Sequence, residues 1–450
     1  MRDDVRQRLR ELGVVKGVRE LATPDPRRRV AIENLVSGHF HTTSHGQCFV
    51  AEATYPPDHL HGDLPLSALL NLPAEVVAQM SGYGMPSSVD WRRVCFLDTE
   101  TTGLSGGTGT MAFVVGLGFF VEGGFHVRQY FLRDPGDEPA MIEALAELLP
   151  RFEALVSFNG RTFDVPIIEN RFILARTSPP TAGLPHLDLL HPARRLWRDH
   201  LPSCALSTIE RAVLGVLREQ DDVPGGVIPY LYRDYLRTGD AREMKRVLYH
   251  NAVDVLSLVT LTARLCRTFA DPWADAETTS DESLSGAEFF GLGRWYTTED
   301  RSDEAERAYR TALRSLNKAQ DKLCSGKTQD EELASGLRVK VLRTLGYFLK
   351  RADRRAEAFA YWQQLALESV DDVLAHVELA KYLEWHVGNL SLAAGWTRTA
   401  MTQVKGWPRG MRRDVTLADL RHRLARLERK MNRQPPGSSA QNLHTRHSHE

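Results

Sequence analysis

The sequence predicts a mixed α/β domain over residues 89–272 followed by an all-α repeat region over 287–410. Three observations predict it. From Val94 the runs VCFLDTET, MAFVVGLGFF and FHVRQYFL are strand-length, apolar, and separated by the turn sequences SGGTGT and Gly123-Gly124. Strands and helices then alternate, as in a mixed sheet with helices packed on it. Beyond the acidic, Ser-rich stretch ADAETTSDESLSG the pattern is helical and repeats itself.

Residues 1–88 are punctuated by Pro and His and read as an irregular leader, made basic by Arg2, Arg6, Arg8, Arg10, Arg19 and Arg27-Arg28-Arg29. The three-strand meander comes next, then a helix over Glu138 to Leu149 with apolar residues at helical spacing. LVSFNG is a short strand, the stretch after Asp164 is helical up to Pro179-Pro180, and HLDLL is a fifth strand. A long helix runs from about Ala241 to Phe269, with Asp240 and Glu243 at the spacing of a capping box.

Residues 273–286 read as a linker. In the helical region, LGRWY at 292–296 precedes Ala305, Tyr309 and Ala312, and LGYFL at 345–349 precedes Ala358, Trp362 and Leu365 at the same offsets. LAKYL at 379–383 precedes Ala394 and Trp396, slightly loosened, and Gly346 to Ala380 is 34 residues, the tetratricopeptide period. A small residue facing an aromatic lets paired helices approach and stack. A basic helix over 411–432 and a polar tail over 433–450, disordered by composition, complete the chain.

Composition narrows the function classes. The chain is 42% hydrophobic and 26% charged, and Lys plus Arg (57) nearly balances Asp plus Glu (58), so global charge neither demands nor excludes a polyanion. No run approaches the roughly 20 apolar residues of a membrane span, and the N-terminus lacks the apolar stretch of a secretory signal. Five scattered cysteines without paired spacing indicate reduced thiols and a cytoplasmic protein. Arg194, Arg195 and Arg198 form a second basic cluster, read as a solvated face or a phosphate contact. The set His39, His41, His45, Cys48, His59 and His61 fits no common zinc spacing and reads as loop.

The chemistry concentrates in acidic residues. Asp98 and Glu100 close an apolar strand and are followed by Thr101-Thr102-Gly103. Residues two apart share a strand face, so both carboxylates can address one hard cation. Asp164 opens a helix in SFNGRTFDVPII, where capping is the plainer reading. Asp254 sits inside the apolar helix YHNAVDVLSLV, where an unpaired carboxylate is costly and a ligand role relieves it.

Taken together, FLDTETTGL, NGRTFD and HNAVD resemble, in order and spacing, the three exonuclease motifs of the DEDD superfamily, over about 94–260. With HLDLLHPARRLW and the repeat tail, they resemble more closely the bacterial ribonuclease H-like proteins of the YprB type, a family that includes mitomycin-repair exonucleases. The resemblance implies a DnaQ-like, ribonuclease H-like fold, 3′→5′ hydrolysis of phosphodiester bonds, DNA repair, and a helicase or other protein partner for the repeats. It implies two divalent cations, Mg²⁺ or Mn²⁺, held by Asp98, Glu100, Asp164 and Asp254, with Asp98 bridging. Thr101, Thr102, Gly103, Asn159 and Arg161 are the substrate-contact candidates, on single-stranded DNA or on RNA.

The sequence departs from the pattern at the base. The superfamily places a His five residues, or a Tyr four residues, before the last Asp; here Tyr249 is five before Asp254 and His250 four before. A continuous helix puts His250 on the face of Asp254 and makes it the catalytic candidate, whereas a kink at Asn251 restores Tyr249. Two other functions fit the residues: an RNA-trimming exoribonuclease, and a catalytically inactive scaffold whose repeats do the binding.

Overall fold

The computed structural model describes residues 29–73, 75–81, 89–103, 109–218, 222–273, 284–322, 329–369 and 372–433. They form two compact units. One reaches Arg194 and resumes at Pro202–Pro272; the other comprises Arg195–Leu201 and the chain from Trp273 onward.

The first unit is built on a seven-stranded sheet. Its strands are β1 (Gly38–Thr43), β2 (Gly46–Tyr55), β5 (Val94–Thr101), β6 (Ala112–Val121), β7 (Gly124–Phe131), β8 (Ala154–Ser157) and β9 (His186–Asp188); β3 (Leu60–His61) and β4 (Leu64–Pro65) pair separately. The order across the sheet is β1-β2-β7-β6-β5-β8-β9. Strand β5 pairs antiparallel with β6 and parallel with β8, and β8 pairs parallel with β9. Val94 to Leu97 are all buried, as a strand covered on both faces requires.

The leader differs from its expectation. Residues 38–55 form a hairpin, and β2 pairs antiparallel with β7, Phe49 opposite Phe131 and Tyr55 opposite Phe125. The reason is the run Cys48-Phe49-Val50-Ala51, buried throughout, which completes the core beside β7; the surrounding His and Thr residues obscure it in the sequence. The Arg residues of the leader through Arg28 lie outside the described residues.

The longer helices of this unit are α1 (Glu75–Ser81), α2 (Glu138–Leu148), α3 (Asp164–Leu174), α4 (Leu190–Trp197), α5 (Ile228–Thr238) and α6 (Arg242–Ala270), α4 giving its last residues to the other unit, and a short helical stretch over 206–214 carries Glu210. The expected capping box of α6 is absent: Ala241 is the N-cap, while Asp240 binds the Arg242 guanidinium (2.9 Å to Nε) and Glu243 pairs with Arg246. Two glycines let α6 lie on the sheet. A Cβ at Gly116 would stand 2.1 Å from Asn251 Oδ1, and one at Gly118 would stand 2.4 Å from Val255 Cγ1.

The second unit is all helical and paired. It runs α7 (Gly286–Thr298), α8 (Ser302–Lys322), α9 (Gln329–Arg351), α10 (Arg355–Glu368), α11 (Val373–Tyr382), α12 (Leu390–Gly406) and α13 (Met411–Arg433), each helix packing on the next. The repeated small residues do the same job twice: a Cβ on Gly293 would meet Tyr309 Cδ1 at 2.5 Å, and one on Gly346 would meet Trp362 Cε2 at 2.8 Å.

Both ends of the expected linker are structured. Trp273 stacks on Tyr296 at 6.0 Å, and Ser285 with Glu288 makes a complete capping box at the start of α7. The Glu288 carboxylate also accepts the Trp197 indole N–H at 3.0 Å, which explains why Arg195–Leu201 fold with the helices. The polar tail lies outside the described residues.

Candidate active site

The carboxylates gather at the C-terminal end of β5, where open sheets with parallel pairs bind ligands. Asp98 and Glu100 come from β5 itself, just before a register shift at Glu100/Thr101. Asp164 is the first residue of α3, delivered by the turn after β8. Asp254 projects from the middle of α6.

Asp98, Asp164 and Asp254 are held by hydrogen bonds from their neighbours. The Asn251 amide donates to Asp98 Oδ2 at 2.7 Å and to the Asp98 carbonyl at 3.2 Å, and Gln129 Nε2 donates to Asn251 Oδ1 at 2.8 Å. The Thr99 hydroxyl donates to Asp164, and a Cβ on Gly160 would crowd Asp164 Oδ2 at 3.0 Å. The Arg218 guanidinium donates to Asp254 and, through two bonds of 2.7 Å, to the buried carboxylate of Glu210. Glu210 also accepts from Ser257 at 2.6 Å, and Ser257 meets His61 Nε2 at 2.7 Å.

Helix α6 is continuous through Asn251, so His250 shares a face with Asp254; its Nε2 lies 3.6 Å from Asp254 Oδ2 and 3.8 Å from Glu100 Oε1. Its Nδ1 is 2.8 Å from Asp222 Oδ1. Arg218 Nη1 stands 3.0 Å from the same Nδ1, but the shorter contact is to Asp222, a carboxylate that only accepts, so Nδ1 carries a proton and Nε2 faces the acids. Tyr249 lies on the other side, near Tyr55 of β2.

The electrostatics follow from crowding. Burial, then Asp254, Asp164 and Glu100, push the Asp98 carboxyl well up. Burial raises Glu100 to about 8, with His250 opposing, and raises Asp164 to about 6, with the Thr99 bond opposing. Burial also raises Asp254, against His250 and Arg218. For His250, burial alone would lower the ring, but Asp222, Asp254 and Glu100 prevail and push it up to about 9. Buried like charges resist ionising together, and a bound cation relieves that conflict. Donor atoms of Glu100, His250 and Asp254 all lie within 4.8 Å of one another, a group able to hold a metal ion.

The substrate-contact candidates border this cluster. The Thr101 hydroxyl donates to the Gly103 carbonyl at 2.7 Å, and Thr102 Oγ1 accepts from Met111 N–H at 3.1 Å, so both shape the chain beside Glu100. Asn159, at φ 65, and Arg161 lie in the turn before Asp164. That turn is tied down by Asp188, whose carboxylate accepts from the backbone of Asn159 (2.8 Å), Arg161 (3.2 Å) and Leu190 (3.1 Å).

The residues read as loop histidines do not converge. His39 faces Glu52 at 3.6 Å, His41 faces Glu147 at 3.1 Å, His45 faces Glu143 at 2.8 Å, and His61 is buried against Ser257. The sequence reading missed Glu210, Arg218, Asp222 and Gln129, and treated Asn251 as a hinge. Asn251 had a signal, an amide three residues before Asp254 in an apolar helix. Gln129 had a similar one inside the strand FHVRQYFL, but Arg218 and Glu210 lie in irregular sequence and had none.

This sheet order, with acids at the end of β5 where antiparallel pairing gives way to parallel, defines a ribonuclease H-like domain, and residues 95–266 match the RNase_H_2 family model of the RNase H superfamily. Over a longer stretch, the chain is 29% identical across 345 residues to "Uncharacterized protein YprB" of Bacillus subtilis (strain 168), covering 75% of this chain and 76% of that one. An RNase H-like fold is typical of nucleases, which act on nucleic-acid phosphodiester bonds. No described helix is long and apolar enough to cross a membrane.

Proposed function

We propose that the chain is a metal-dependent 3′→5′ exonuclease acting on single-stranded DNA in repair. The observation that carries this reading is the convergence of Asp98, Glu100, Asp164 and Asp254, from three separate elements, in one crowded acidic centre. The four donors are carboxylates, hard oxygen ligands that suit Mg²⁺ or Mn²⁺.

Asp98, Glu100, Asp164 and Asp254 would hold two such cations, which when bound supply an activated water and charge neutralisation at the phosphate. The residues do the rest. Asn251 fixes the Asp98 carboxylate and Arg218 fixes Asp254, so the acids keep their positions as charge changes around them. Asp222 holds the His250 ring so that Nε2 points into the centre; bound cations would offset the carboxylate charge that keeps the ring protonated, and the freed Nε2 lone pair would take the proton of the attacking water. Asp188 holds the turn that presents Asn159 and Arg161 to the substrate backbone.

The test is degradation of single-stranded DNA and RNA labelled at the 5′ end, with Mn²⁺, Mg²⁺ or chelator, and with Asp254→Ala as control. A metal-dependent ladder shortening from the 3′ end of DNA, absent in the variant, is expected. Preferential shortening of RNA would make the chain an exoribonuclease. Intact strands under every metal would leave a scaffold.

A further inference from the structure

The helical unit contains a cavity of about 350 Å³ lined from α9, α10, α11 and the turn after α11. Its inner wall includes Trp362, only 2% exposed, the indole that packs against Gly346. Lys350, Arg355 and Lys381 line it with one carboxylate, Glu378, which binds both lysines. Arg355 also pairs with Asp353 beside the cavity, so three cations against two anions leave a positive excess of one.

Trp385 stands at this cavity 56% exposed. It sits on the wide helical turn Leu383–Val387, which closes at Gly388 with φ 76. The turn is anchored from beneath: the Glu384 side chain is fully buried and binds Arg426 and Lys430, each at 2.7 Å. Successive residues of a helical turn point in different directions, so fixing Glu384 inward keeps Trp385 outward. Arg426 lies 5.9 Å from the indole ring, and Tyr382 stacks on His386 at 5.5 Å.

An indole held in water by a buried ion network, beside further rings and a lining of net positive charge, combines the two features that bind a single strand. Flat rings stack bases without regard to sequence, and cations track the phosphates. An acidic peptide would meet the cations but has no need of exposed flat faces. We infer that this cavity is a binding platform for single-stranded nucleic acid, with a base stacked on Trp385 and adjacent phosphates at Arg355 and Lys381. A volume near the lower end of the roughly 300–1,000 Å³ usual for small-molecule pockets suits a nucleotide-sized group.

The test uses the full chain in chelator, so its outcome is independent of whether the acidic centre cuts. A fluorescein-labelled oligothymidylate is titrated by anisotropy, and a 5-iodouracil version is photo-crosslinked and mapped by mass spectrometry. Crosslinks are expected on Trp385 or Tyr382, with affinity about tenfold weaker in Trp385→Ala. Lys381→Ala should flatten the dependence of affinity on salt. Circular dichroism checks that both variants fold. Crosslinks confined to other regions with unchanged affinity in Trp385→Ala would overturn the inference. So would Trp385-dependent binding of a glutamate-rich peptide in place of the oligonucleotide.

Discussion

Asn251 donates to the Asp98 carboxylate at 2.7 Å while accepting from Gln129 at 2.8 Å, a relay from β7 through α6 to the end of β5. Its amide is fully buried, and Gly116 leaves the space that it occupies. The two α6 residues Asn251 and Asp254 therefore serve the same centre, one by orienting an acid and one by supplying it.

Asn251→Ala is expected to lower turnover or Mn²⁺ affinity about 10- to 100-fold, the usual effect of removing a residue that orients a ligand. Gly116→Ala should act alike, because its Cβ would lie 2.1 Å from Asn251 Oδ1, and should destabilise by about 1–3 kcal/mol. Metal titration and thermal unfolding check both. Wild-type affinity and turnover in Asn251→Ala would remove the positioning role.

His250→Ala should reduce kcat by about 10²–10⁴ if Nε2 handles the water proton. Tyr249→Phe should leave kcat unchanged, since the ring lies toward Tyr55. Steady-state kinetics on a labelled oligonucleotide decides between them. The reverse result would hand the role to the phenol.

Arg218 binds Glu210, whose side chain is 1% exposed, and Asp254 together. Arg218→Ala leaves a buried carboxylate without its cation and should cost about 3–5 kcal/mol. The double variant Arg218→Ala/Glu210→Ala should cost less than the sum of the single losses, because the orphaned charge is gone. Urea unfolding of the four proteins measures it, and strict additivity would contradict the coupling.

Burial lowers His61 and His186 to about 4, each neutral against a serine hydroxyl. Their unfolded counterparts protonate near pH 6.5. The unfolded chain then binds more protons than the folded one between these values. Stability from this source is therefore full above about pH 6.5 and is lost as the pH falls through about 4. Thermal midpoints from pH 7 to 5 should fall less steeply in His61→Gln and His186→Gln than in the parent. Parallel slopes would mean the rings titrate alike in both states.

Much of the centre is legible in the sequence because its chemistry is local. Asp98 and Glu100 are placed by strand alternation, Asp164 by a strand-to-helix turn, and His250 and Asp254 by the four-residue repeat of a helix. The small-to-aromatic offset from Gly293 to Tyr309 recurs from Gly346 to Trp362 for a similar reason, since helix period and turn length set it. The hairpin of β1 and β2 was hidden because β2 is stabilised by β7, a partner distant in the chain.

What the sequence by itself determined is the set of acids, the strand and helix that carry most of them, and the paired helical architecture beyond Ser285. Tertiary structure alone decided what holds those acids. Arg218, backed by Glu210, reaches Asp254 and Asp222 reaches His250 across long chain separations, Gln129 reaches Asn251 from a strand of the sheet, and residues 195–201 join the helical unit through Glu288. The physical reason is that a period along the chain places a side chain on a face. The charge or amide opposite that face is set by how separate elements pack, and no local pattern encodes it.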